Sequence, residues 1–160
     1  MGLARPHSRS KSGFTLVELL IVVVILAIIA AMAIPSLNAM TADTRQKAFA
    51  AELTILVEAA QRYHIRNDEH LPDTSSGVWP TEWDGYIRED QFESGTPLEG
   101  VWDFELNSFG VAAAVGAHFN GTAPANADLV AVDQIMDDGN LTTGSLRLIA
   151  SDRLYYVLEE

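Results

Sequence analysis

The chain contains no cysteine, which excludes disulfide staples, thiolate nucleophiles and cysteine-ligated zinc. Positive charge is scarce as well: 10 Lys and Arg against 22 Asp and Glu give a formal net charge of −12. The first thirteen residues hold Arg5, Arg9 and Lys11 and no acid, so the chain without them carries −15. Such a surface repels phosphate backbones, and direct nucleic-acid binding is not expected. Catalytic groupings are also lacking. The four histidines, His7, His64, His70 and His118, form no HxxxH ligand pair, and no Ser or Lys stands in a nucleophile motif. Each histidine reads as satisfied or exposed, and Asp103/Glu105 and Glu89/Asp90 as ordinary pairs in an acidic chain, so an enzyme is not expected. There is no internal repeat, and 160 residues leave room for one membrane segment and one small domain.

What the chain has is one long apolar run. From Gly13 to Leu37, GFTLVELLIVVVILAIIAAMAIPSL follows a basic leader and holds a single charged side chain, Glu18. The 21 residues from Phe14 to Ile34 suffice to cross a ~30 Å hydrocarbon core at about 1.5 Å per residue. They outrun the ~7–15-residue apolar core of a cleaved secretory signal, although Ala27 to Ala33, AIIAAMA, has the small residues of a cleavage site. An uncleaved anchor is the other simple reading. Basic residues ahead of the run keep the start of the chain cytoplasmic and the remainder outside. A carboxylate within hydrocarbon costs roughly 2.5–3.5 kcal/mol, so Glu18 calls for a functional reason.

The string Gly13-Phe14-Thr15-Leu16-Val17-Glu18, the apolar run behind it and Pro35 resemble the class III signal of type IV prepilins and type II secretion pseudopilins. The resemblance covers about the first forty residues. It implies a leader, residues 1–13, cut after Gly13 by a prepilin peptidase, with methylation of the new N-terminal Phe14. It further implies a retained helix over 14–36 that serves as membrane span and filament core, and a long helix packed on a small antiparallel sheet, an α+β pilin fold. As partners it implies membrane lipid, copies of the same chain in a helical filament, and an inner-membrane assembly platform with a cytoplasmic ATPase. The subunit would pass from the bacterial inner membrane into a periplasmic or extracellular fibre.

The physical chemistry of Glu18 agrees with this. The Phe14 amine created by cleavage lies one turn from Glu18, at i and i+4. In a packed bundle Glu18 can instead meet the amine of the next subunit, and a slipped subunit would leave a buried charge unpaired. Glu18 is therefore expected to act as an assembly register. Pro35 removes a backbone N–H and clashes one turn back, which predicts a kink or an unwound turn near residues 31–35. Beyond it, Phe49, Leu53, Leu56, Ala60 and Tyr63 recur at spacings of three and four, opposite Gln46, Lys47, Glu58 and Arg62. This predicts an amphipathic stem over 37–67 whose apolar face is covered by a domain over 68–160.

Leu71 to Gly100 is rich in Pro, Gly, Asp and Ser and reads as a long structured loop with one helical turn near Thr81 to Ile87. Its aromatic residues Trp79, Trp83, Tyr86 and Phe92 are expected to pack on the stem or sheet. VWDFELNS alternates Trp102, Phe104 and Leu106 against Val101, Asp103 and Glu105, a strand with one apolar face. Phe109 to Phe119 follows as its antiparallel neighbour after a turn at Asn107-Ser108. Ala125 to Met136 predicts a helix, and SLRLIAS and RLYYVLE a hairpin around Ser151-Asp152. Between them, Asp133, Asp137, Asp138, Asn140 and Thr142 offer hard oxygen donors of the kind calcium takes, with Gly139 allowing a sharp turn. The plain alternative is an Asp-Gly turn that stops the helix, with Asp137 accepting backbone hydrogen bonds. The resemblance adds that major pseudopilins carry a calcium site in this domain. A structural filament subunit is the expected function; a membrane-anchored periplasmic binding module and a low-copy minor subunit are the alternatives.

Overall fold

The computed structural model describes residues 13–121 and 123–160, and of residues 31–39 the backbone alone. The expected leader lies, apart from Gly13, outside the described residues. The chain divides into two compact units, residues 1–40 and Thr41–Glu160.

Helix α1 runs from Leu16 to Asn67. It opens on an apolar stretch in which every large apolar side chain from Phe14 to Ile29 is at least 47% exposed, so this part has no polar face and no cover from its own unit. Among the described residues no helix is long and apolar enough to cross a membrane. The portion of the run with described side chains ends at residue 30, short of the ~20 residues a bilayer needs, while the apolar sequence continues to Ile34. The helical backbone passes through Pro35 without interruption, which corrects the unwound turn expected there. One missing N–H removes a single rung, and the strong helix formers on both sides keep the neighbouring turns helical. At its other end α1 stops where Asp68 turns to φ 57 and its N–H closes on His64 O at 2.8 Å, a left-handed cap.

In the second unit, the stem places Phe49, Leu53, Leu56 and Ala60 in the core, each at most 3% exposed. They pack on one face of a four-stranded antiparallel sheet in the order β1-β2-β4-β3. The strands are β1 Val101–Ser108, β2 Val111–His118, β3 Leu146–Ala150 and β4 Arg153–Glu159, and α3 Asn126–Met136 links the two hairpins. This is the α+β architecture expected from the sequence. Trp102, Phe104, Val115, Ala117 and Leu154 form the sheet's inner face, and Phe49 meets the Trp102 ring at 5.1 Å between centroids. The loop between stem and sheet folds as a layer of the core. A 3₁₀ turn, Thr81–Trp83, and a short helix α2, Glu89–Glu93, seat Trp83 and Phe92 edge to face at 5.3 Å, with Trp79 against both.

One local expectation is corrected. The first hairpin turns at Phe109-Gly110, not at Asn107-Ser108: Ser108 still pairs with Val111, and the two turn residues take φ 49 and 82. A tight two-residue hairpin needs positive φ at both central positions, which Gly110 supplies freely and Phe109 accepts. On the other face of β1, Asp103 and Glu105 are 2% and 5% exposed.

Candidate functional site

At the N-terminus, Thr15 is the N-cap of α1 and Glu18 its third residue. Thr15 N–H and hydroxyl donate to Glu18 Oε2 at 2.8 and 2.7 Å, and Glu18 N–H donates to Thr15 Oγ1 at 3.3 Å. This reciprocal capping box satisfies amides that a helix start otherwise leaves open. Its signature, Thr-x-x-Glu ahead of an apolar run, stands in the sequence; reading Glu18 against the amine alone passed over Thr15. Gly13 and Phe14 precede the helix outside regular structure, Phe14 is 79% exposed, and a Cβ at Gly13 would meet nothing within 4 Å.

The acidic turn follows α3. Asp137 Oδ2 accepts the Leu146 N–H at 3.1 Å and, closer still, the Ser145 N–H. Asp138 accepts the Asn140 N–H and the Thr143 hydroxyl, both at 2.8 Å. Gly139, at φ 78, reverses the chain where Gln134 Cγ leaves no room for a side chain. Asp133 differs from its neighbours. It is fully buried, and neither carboxylate oxygen has a hydrogen-bond partner. Burial first, then the Asp138 and Asp137 charges, push its pKa up to about 6 against the nearby Asn140 and Gly139 amide dipoles. Carboxylate oxygens of Asp133, Asp137 and Asp138 lie within 4.8 Å of one another. Asn140 and Thr142 do not join them: Asn140 Oδ1 accepts the Thr142 N–H at 3.2 Å and its hydroxyl at 2.8 Å. The five expected ligands therefore separate into a carboxylate trio and a self-paired turn. Three converging carboxylates, one buried without a partner, fit a hard divalent cation.

A second polar group lies on the outer face of the sheet. Gly116 stands between Asp103 on β1 and Tyr155 on β4 in register; with no side chain in the way, Tyr155 reaches across it and donates to Asp103 Oδ2 at 2.6 Å. Arg153 donates to the same oxygen at 2.9 Å and to Glu105, and its guanidinium lies 4.8 Å from the Phe109 ring centroid. Ser76 donates to Asp103 Oδ2 at 2.7 Å, and His118 lies between Ser76 at 2.8 Å and Asp152 at 3.2 Å. The Ser76-His118-Asp152 line is not a nucleophile pair, since the serine proton goes to Asp103. Burial raises Glu105, partly offset by Arg153, and also raises Asp73 beside Asp103. None of this network was legible in the sequence, because it depends on which residues meet across three strands.

The helix packed on a small four-stranded antiparallel sheet is consistent with the α+β pilin fold. The prokaryotic N-terminal methylation motif matches residues 8–34. Type II secretion system core protein G of Pseudomonas aeruginosa is 27% identical over 139 residues, covering 75% of this chain and 97% of that one. The same-named protein of Aeromonas hydrophila is 33% identical over 72 residues, and the type IV wide pilus major component PilA4 of Thermus thermophilus 40% over 68. These two matches cover 45% and 42% of this chain and about half of each relative, 50% and 52%. No solved structure matches. The chain is similar to pilins and pseudopilins, families of structural subunits.

Proposed function

We propose that the chain is the shaft-forming subunit of a type IV pilus-like or type II secretion pseudopilus filament. It is made as an inner-membrane prepilin, cut after Gly13, methylated on Phe14 and drawn from lipid into the fibre by the assembly platform and its ATPase. The observation that carries this reading is the all-round apolar exposure of Phe14 to Ile29, a surface that only lipid or other apolar helices can cover. Glu18 is the register: the incoming subunit exchanges its own Thr15 cap for the Phe14 amine of a neighbour. The kink expected at Pro35 belongs to the packed fibre. Gly13 supports external reading of the cleavage site, since the chain itself has room for a side chain there. Intact mass of subunits sheared from cells tests the reading. A chain starting at N-methylated Phe14 is expected, and Gly13→Leu is expected to stay unprocessed. A fibre subunit that retains Met1, or begins near Ala33, overturns it.

Within the same reading, Asp133, Asp137 and Asp138 hold calcium, which compensates the buried Asp133 and ties the end of α3 to the start of β3. A low-copy minor subunit or an anchored binding module would show the same leader yet no fibre dependent on this chain.

A further inference from the structure

Asn140 and Thr142 stand apart from the carboxylate trio, and their side chains are occupied with each other. Of the six asparagines in the chain, Asn120 and Asn140 each open an Asn-x-Thr triplet, Asn120-Gly121-Thr122 and Asn140-Leu141-Thr142. That spacing, with any residue but proline in the middle, marks an asparagine that can take a sugar on its amide nitrogen, in a surface loop of an exported protein. The triplet alone does not choose between the two. At Asn120 the threonine lies outside the described residues. At Asn140 the whole triplet is in view.

The Thr142 hydroxyl donates to Asn140 Oδ1 at 2.8 Å, and the Thr142 N–H donates to the same oxygen at 3.2 Å. With its oxygen held by Thr142, the planar amide turns Nδ2 away from that residue. The Asn140 N–H donates to Asp138 Oδ1 at 2.8 Å, and the Asn140 carbonyl accepts the Thr143 N–H at 2.9 Å. Nδ2 is then the one polar group of Asn140 without a partner among the described residues. Asn140, Thr142, Thr143 and Gly144 are all exposed, while Leu141 packs inward at 9% exposure and anchors the turn.

We propose that Asn140 is an N-glycosylation site. The donor is a sugar carried on a membrane polyprenyl diphosphate, and the transferase is a separate membrane enzyme. Asn140 Nδ2 bonds to the anomeric carbon as that carbon's bond to the diphosphate oxygen breaks. The lipid diphosphate leaves with the bonding pair, and the amide gives up one proton. Asn140 and Thr142 supply no oxygen to the trio, so the sugar stands beside Asp133, Asp137 and Asp138 without displacing them. Access to such a donor rests on the filament reading, which puts the domain outside the cytoplasmic membrane; the geometry of the turn does not.

The test is peptide mapping by mass spectrometry of full-length subunit taken from the membrane fraction of its native cells, with fragmentation that places any added mass on one residue. A sugar on Asn140 that survives mild alkali is expected. It should be lost in Asn140→Gln and Thr142→Val and kept in Thr142→Ser and Asn120→Gln. Should Asn140→Gln fail to accumulate, Thr142→Val decides, since it keeps the shape of the side chain and the Thr142 N–H bond. Bare Asn140 in the wild type overturns the proposal. So does a sugar that mild alkali releases from Thr142 or Thr143, or one on Asn140 that persists in Thr142→Val. The N-terminal peptide of the same sample reports cleavage after Gly13. A cut leader with bare Asn140 therefore contradicts this proposal alone, and an uncut leader with a sugar on Asn140 contradicts the filament reading alone.

Discussion

Asp133 ties the acidic turn to pH. Its folded pKa, about 6, lies above the ordinary aspartate value, so between roughly pH 4 and 6 the folded state binds the extra proton. Stability from this group is therefore full below that window, falls as pH rises through it, and is lost near pH 7. Glu105, Asp73 and Glu52 are raised as well and act in the same direction. The metal-free protein is expected to melt at a higher temperature at pH 5 than at pH 7.5. Millimolar calcium should recover the difference at pH 7.5 by taking the proton's place. Asp133→Asn should remove the calcium response and most of the pH dependence. Equal melting temperatures for wild type at both pH values, with and without calcium, would refute this account of the site. Thr15 makes the second residue-scale case. Thr15→Val removes the N-cap hydroxyl, costing about 1 kcal/mol of local helix stability. It should fray the first turn, read as faster amide exchange at residues 16–18, while leaving Glu18 available to a neighbour's amine.

At the scale of elements, Gly116 and Tyr155 hold the sheet's outer face. A Cβ at residue 116 would fall 2.8 Å from the Tyr155 ring, so Gly116→Ala is expected to destabilise the sheet unit by roughly 1–3 kcal/mol through overpacking. Tyr155→Phe removes one donor from the buried Asp103 carboxylate, which keeps Arg153 and Ser76, and should cost roughly 1–3 kcal/mol. Denaturant midpoints measure both, and an unchanged midpoint in either would remove the network from the account. The stem helix and the inner sheet face were legible because periodicity reports burial directly: Phe49, Leu53 and Leu56 repeat at helical spacing, and Trp102 and Phe104 alternate. The outer face was not. Asp103 and Glu105 look like solvated positions until the register sets Gly116 and Tyr155 beside them and the loop lays Ser76 on top. The first turn was misplaced by two residues because Asn107-Ser108 has turn chemistry, whereas the strand continues until Gly110 can take positive φ. The calcium candidates divided because Asn140 and Thr142 bond locally, a preference that sequence spacing does not reveal.

On the scale of the whole molecule, a highly acidic domain and an apolar helix bare on every side are joined in one chain. The acidic surface disfavours contact with nucleic acid, while on the proposed reading the helix is covered by lipid or by its copies. On the proposed reading Glu18 decides between these covers, because a charge among apolar helices is tolerated where a partner meets it. The most direct measurement is a paired one on cells carrying Glu18→Val: the amount of subunit in the membrane fraction, and the amount in sheared fibres, identified by mass. Insertion is expected to be unchanged or improved, since a costly charge is gone. Fibre incorporation should fall by more than about a hundredfold, from the ~3–5 kcal/mol lost when one partner of a buried pair is removed. Normal fibre yield from the substituted subunit would contradict the register role and, with it, the account of how this chain assembles.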